Sequence, residues 1–176
     1  MPASRSAQWC SIKPVTDLIV RSARLEDGDG IWDMLNPVFA AGETYTVDPD
    51  INRAYALAYW TGGKKVFVVE RGGELLGTYY IVRNQKGGGS HVCNCGFVTA
   101  AAAQGLGVAR LMLEHSLETA KADGFRAMQF NFVVSTNTRA VEIWQRYGFD
   151  IVGRLPEAFH HPRDGYVDAL VMYRKL

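Results

Sequence analysis

The stretch Gln104-Gly105-Leu106-Gly107-Val108-Ala109 constrains this chain more than any other. It follows an apolar, strand-like run ending at Val98 and opens a helical pattern in which Leu111, Leu113, Leu117 and Ala120 recur at helical spacing. Two glycines remove the Cβ atoms from a tight turn, so the unpaired N–H groups of the following first helical turn can converge on an anion. The helix dipole adds to that attraction. A nucleoside-triphosphate loop is excluded, because G-x-x-x-x-G-K-[ST] needs a Lys after its last glycine and none follows Gly107. A dinucleotide fingerprint is excluded as well. Arg110 occupies the place of its third small residue, and the next strand ends in Val133-Val134-Ser135-Thr136 without an acid. What remains is Q-x-x-G-x-A, either a phosphate loop of another kind or an ordinary strand-to-helix turn.

A second segment separates these alternatives. Asn137-Thr138-Arg139-Ala140-Val141-Glu142-Ile143-Trp144-Gln145-Arg146-Tyr147-Gly148-Phe149 resembles the N-x-x-A-x-x-x-Y-x-x-x-G-F segment of the GNAT N-acetyltransferases. The first stretch is similar to their acetyl-CoA pyrophosphate loop, [R/Q]-x-x-G-x-[G/A]. Two motifs in the right order are far more specific than one. The resemblance implies acetyl-CoA as cofactor, held by Gln104, Gly105, Leu106, Gly107, Val108, Ala109 and Arg110 at the pyrophosphate and by Asn137 and Trp144 further along. It also implies an α/β fold of the mixed α+β kind: a central, mostly antiparallel sheet, flanked by helices and splayed between its fourth and fifth strands. The pantetheine arm would enter that gap and pair with main-chain groups of Phe97, Val98 and Thr99.

The rest of the chain is consistent with this. Its 176 residues, 48% apolar and 21% charged, fit one soluble domain, expected over residues 18–176 after a loose segment from Met1 to Asp17. A net charge of +1 gives no field for nucleic acid or an anionic membrane. No apolar run is long enough to span a bilayer and no signal-peptide core precedes Leu18, so the expected compartment is the cytoplasm. Three cysteines, Cys10, Cys93 and Cys95, support no disulfide framework. His91, Cys93 and Cys95 alternate and would share one strand face; a packed face is expected there rather than a metal site, because nothing completes the ligand set.

Periodicity and turn residues predict a strand over Leu18 to Ala23, then a helix over Glu26 to Ala41 that Pro37 kinks or breaks. A second helix follows, capped by Asp50 and ended by Gly62-Gly63. Strands are expected over Val66 to Val69, Leu75 to Val82 and His91 to Val98, a helix over Val108 to Ala122, and a strand over Arg126 to Val134. A helix over Asn137 to Tyr147, a strand starting over Phe149 to Gly153, a loop over His160 to Gly165 and a final strand over Val167 to Tyr173 complete the order.

A closer resemblance lies in Ser90 to Phe97 and in Phe130 to Asn137, with Gly77 to Ile81, Gly42-Glu43-Thr44-Tyr45 and Ile143-Trp144-Gln145. These are similar to the fungal L-azetidine-2-carboxylate N-acetyltransferase type within the GNATs. That likeness implies a small-molecule amine, a proline-like imino acid, as acceptor. It makes Asn94 and Asn131 the candidate catalytic-site and substrate-holding residues, with Glu43, Thr44 and Tyr45 beside them. An amide has no lone pair basic enough to take a proton, so Asn94 and Asn131 can orient a substrate but not deprotonate it. The other reading of the pair is two amides that satisfy neighbouring backbone. Glu43 and His91 are candidate bases. Trp144 replaces the Tyr that in many relatives protonates the leaving thiolate, and an indole N–H supplies no proton. A protein or peptide acetyltransferase and a non-catalytic CoA-binding sensor stay open as alternatives, as does a homodimer, since GNAT relatives are often dimers.

Overall fold

The computed structural model describes residues 17–176. The loose segment expected over Met1 to Asp17 lies outside the described residues except for Asp17, and Cys10 lies outside them too. The elements are β1 (Ile19–Ser22), α1 (Gly28–Ala41), α2 (Arg53–Thr61), β2 (Lys65–Arg71), β3 (Glu74–Arg83), β4 (Val92–Thr99), α3 (Val108–Ala122), β5 (Ala127–Val134), α4 (Thr138–Arg146), β6 (Asp150–His161) and β7 (Gly165–Lys175). Their order is the expected one.

Three local expectations need correction. α1 runs unbroken past Pro37, with Met34, Leu35 and Phe39 buried on either side of the proline to hold it. Asn52, not Asp50, caps α2: its backbone is extended immediately before the first helical residue, and its side chain accepts from the Tyr55 N–H at 3.1 Å. The strand expected to start over Phe149 to Gly153 runs on to His161, because β7 pairs with it through two register shifts. Glu157, with φ of 50°, lies in the second of them. The expected loop over His160 to Gly165 therefore shrinks to a turn between β6 and β7.

The strands form one seven-stranded sheet in the order β1-β2-β3-β4-β5-β7-β6. Every neighbouring pair is antiparallel except β4 and β5. That parallel pairing lasts for two residue pairs, Val92 with Ala127 and Cys93 with Met128. Beyond them the strands diverge, and β5 shifts register on its other side between Phe130 and Val133. A bulge bends its strand. The sheet is therefore open between the C-terminal halves of β4 and β5.

Alternation along the strands builds a core on each face. One face buries Tyr79, Ile81, Cys93, Cys95 and Phe130 with Met112, Leu113 and Leu117 of α3. The other buries Val68, Tyr80 and Val98 against Ile31, Leu35 and Phe39 of α1 and Trp60 of α2. Trp60 is fixed by a relay: its indole N–H donates to Thr78 Oγ1 at 3.0 Å, and that hydroxyl donates to Phe67 O at 3.0 Å. α3 lies tight on the sheet at Gly77, where a Cβ would stand 2.7 Å from a Val108 methyl.

Candidate active site

The opening between β4 and β5 exposes backbone that a regular sheet would pair. Ala100 N–H donates to Leu76 O at 2.9 Å and Asn84 N–H to Val92 O at 2.8 Å, so the even-numbered residues of β4 turn their backbone to β3. Cys95, Phe97 and Thr99 turn theirs to the gap. Val98, expected to offer its main chain there, faces Thr78 of β3 instead, because strand alternation forbids three successive residues from pointing one way. The Phe97 carbonyl accepts from Tyr45 Oη at 3.0 Å. Burial pushes that phenol well above its ordinary pKa, so it is a donor.

At the mouth of the gap stands the N-terminus of α3. Gly105 and Gly107 both have φ of +80°, which favours glycine, and Gly107 is the N-cap without a side-chain hydrogen bond. The first helical bond here runs from Leu111 N–H to Gly107 O at 3.0 Å. The N–H groups of Val108, Ala109 and Arg110 are the unpaired donors that precede it. Arg110 extends beside them, its guanidinium on Glu114 at 2.8 Å. Glu114 also accepts from Tyr147 Oη at 2.6 Å, and Tyr147 is half-buried. These donor hydrogen bonds, Tyr147 first, hold the Glu114 carboxyl below its usual pKa.

A cavity of about 580 Å³ runs along the opening. Thr44, Tyr45, Asn94, Phe97, Val98, Thr99, Asn131, Asn137 and Trp144 all line it. Trp144 packs its ring 5.3 Å from Phe97 and 5.0 Å from Phe130. Asn137 caps α4, accepting from Ala140 N–H at 3.3 Å. Asn94 is half-buried, on the strand face opposite Cys93 and Cys95. Asn131 is exposed to the cavity rather than sunk among apolar groups, since it falls within the β5 register shift. Its amide donates to Asn84 Oδ1 at 2.6 Å and accepts from Gln129 Nε2 at 2.8 Å. Asn84 and Gln129 were not singled out from the sequence; neither carries a motif, Gln129 stands two residues away on the same strand, and Asn84 directly follows the end of β3.

Glu43 does not line this cavity. It lines a neighbouring one of about 810 Å³ together with Thr44, Thr99 and Gln104, and it pairs with Arg163 of the β6–β7 turn at 2.9 Å. His91 is exposed, its Nδ1 3.1 Å from Gly88 O. Cys93 and Cys95 are buried in the core, as a packed strand face requires, and burial pushes the Cys95 thiol up. Among the described residues no group of three or more His, Cys, Asp or Glu could hold a metal ion, and no helix is long and apolar enough to cross a membrane.

One charged side chain in the cavity carries no sequence motif. Lys64, beside the glycines that end α2, is half-buried, with its ammonium 4.3 Å from the Tyr59 ring centroid and 4.0 Å from that of Tyr80. It also donates to the Tyr59 carbonyl. Burial lowers its pKa.

A mixed sheet opened beside its fourth strand, followed by a helix whose first N–H groups are unpaired, is the arrangement that the resemblance to acyl-CoA-dependent transferases implies. The chain matches the acetyltransferase (GNAT) family over residues 30–149 and belongs to it. Acetyl-CoA is the donor that GNAT acetyltransferases use. The chain is 41% identical to a GCN5-related N-acetyltransferase from Kribbella flavida, with a TM-score of 0.86 covering 91% of this chain and 98% of that one. It is 35% identical over 98 residues to the N-acetyltransferase aca1 of Schizosaccharomyces pombe, a match over 55% of this chain and 47% of the relative, so the chain spans about half the length of that curated protein. The acetyltransferase yncA of Salmonella typhimurium, solved with acetyl-CoA, shares the fold at 20% identity, with a TM-score of 0.79 over 92% of this chain and 95% of that one.

Proposed function

We propose that the protein is an acetyl-CoA-dependent N-acetyltransferase acting by direct transfer on a small amino or imino acid, a proline analogue such as azetidine-2-carboxylate. The observation that carries this is the cavity of about 580 Å³ in which Asn94 and Asn131 meet the opened edge of β4. Its volume suits a small molecule, and the bound acceptor would lie beside backbone donors that only the splay leaves free.

When bound, acetyl-CoA supplies a thioester carbonyl to that edge. The N–H groups of Val108, Ala109 and Arg110 hold the pyrophosphate, with Gln104 to Gly107 shaping the loop. Phe97 and Thr99 pair with the pantetheine arm, and Asn137 and Trp144 flank it. Phe97 N–H would donate to the thioester oxygen, where charge would develop as the acceptor nitrogen attacks the carbonyl carbon and CoA departs as the thiolate. Asn94 and Asn131 orient the acceptor, with Thr44 and Tyr45 closing its wall. The lining residues include no carboxylate and no imidazole, so the amine proton leaves to water. Trp144 gives the thiolate no proton, and Tyr147 is committed to Glu114. Catalysis then rests on positioning and on backbone electrostatics.

The test is incubation with acetyl-CoA and a mixture of amino and cyclic imino acids, followed by mass spectrometry of the small-molecule fraction. An N-acetylated amino or imino acid is expected. Acetylation confined to peptides or polyamines would refute the substrate class.

A further inference from the structure

Two cations, Lys64 and Arg83, line the cavity, and no carboxylate does. Arg83 is exposed, whereas Lys64 is half-buried and held between two aromatic faces. The rings attract its charge but accept no ordinary hydrogen bond. The ammonium has three donors, and the Tyr59 carbonyl takes one. Among the described residues no Asp or Glu forms an ion pair with it, whereas Arg21, also partly buried, is held by both Asp27 and Glu70. Such a group is costly to desolvate unless an anion completes its shell.

Its position is built rather than incidental. Gly62 fits only as glycine at the end of α2, since a Cβ there would stand 2.5 Å from Ala58 O, and Gly63 has φ of +66°. This tight exit points Lys64 back over the Tyr80 ring. That ring in turn lies over Gly96, its partner across β3 and β4. The ammonium therefore sits in the same cavity as Asn94, on the α1–α2 face of the sheet.

Resting on the function proposed above, we infer that Lys64 is the specificity-determining residue of the acceptor site, binding the carboxylate of an α-amino or α-imino acid through its two remaining donors. The acceptor's anion completes the ammonium's shell, while Asn94 and Asn131 are left to hold the nitrogen end. The site therefore selects free acids over the corresponding amides, over polyamines and over the uncharged N-terminal segments of peptides.

The test compares wild type, Lys64→Gln and Lys64→Met on azetidine-2-carboxylate or proline and on the matching carboxamide, with acetyl-CoA saturating. Glutamine keeps a donor for the Tyr59 carbonyl, so it preserves a purely structural role while removing the charge. Both variants are expected to raise KM for the acid about 10- to 100-fold and to leave KM for the carboxamide within about twofold. Equal losses on acid and amide, or an unchanged KM for the acid in Lys64→Gln, would overturn the carboxylate role; a fall in kcat on both would make Lys64 a base instead. Wild-type turnover separates the two levels. If wild type acetylates acids but the variants discriminate as it does, the inference about Lys64 fails alone. If wild type acetylates no amino or imino acid, the proposed function fails and the inference with it.

Discussion

The ring of Tyr80 lies over the backbone of Gly96, its register partner, so closely that a Cβ at Gly96 would stand 2.5 Å from a ring carbon. Glycine is required there for space, not for backbone conformation. Trp60 meets the same ring edge-on at 4.9 Å, and Lys64 rests on it at 4.0 Å. One missing side chain on β4 thus sets the floor of the cavity beside Asn94.

Gly96→Ala should accordingly displace Tyr80 and whatever it supports. The variant is expected to lose about 1–3 kcal/mol of stability by overpacking, visible as a lower midpoint in thermal or urea unfolding, and to weaken acceptor binding at the same time. An unchanged midpoint with unchanged kinetics would show that the ring moves aside freely.

Gly107→Glu should abolish acetyl-CoA binding. It forces a side chain into φ of +80° and sets a negative charge at the terminus proposed to hold the pyrophosphate. Calorimetric titration measures this directly, and wild-type affinity would refute the loop's role.

Asn131→Ala should raise KM for the acceptor about tenfold while leaving the unfolding midpoint nearly unchanged. The side chain is exposed, and its two amide partners, Gln129 and Asn84, can turn to water. A kinetically silent variant would limit Asn131 to linking β3 with β5.

The affinity for an acidic acceptor should depend on pH through Lys64. Desolvation places its free-enzyme pKa below the ordinary 10.5. Only the ammonium binds a carboxylate, so KM for the acid should rise as pH climbs through that lowered pKa, and KM for the carboxamide should not. Among the groups facing it, the phenols of Tyr59, Tyr80 and Tyr45 are pushed upward, chiefly by burial, and stay neutral in that range. Arg83 is the other cation lining the cavity. A KM for the acid that stays flat to high pH, or one that falls, would contradict the assignment.

Much of the fold was legible because glycines and apolar periods mark it plainly. Gly107, Gly124 and the leucines of α3 bound that helix, and Gly72-Gly73 announces the β2–β3 hairpin. The length of β6 was hidden by Pro156 and by exposed polar residues, since an edge strand read through bulges shows no alternation. Asn52 and Asp50 are equally good caps in composition, and only the backbone angles choose between them. At the site, Asn94, Asn131, Asn137 and Trp144 were recognisable by motif, and they line one cavity. Lys64 had no such signal. A lysine after two glycines reads as a solvated turn, and its burial between Tyr59 and Tyr80 follows from long-range register. Glu43 shows the opposite case: its loop reaches the cavity through Thr44 and Tyr45, while its own carboxylate turns to Arg163.

The most direct test of the proposed activity is steady-state release of free CoA from acetyl-CoA, measured against azetidine-2-carboxylate, proline analogues, other amino acids, polyamines and peptides in turn. Turnover on the cyclic imino acids and related free acids, and little on amines without a carboxylate, is the expected result. Preferential turnover of polyamines or peptides would contradict the substrate class, and no acceptor-dependent release from any of them would contradict catalysis by this site.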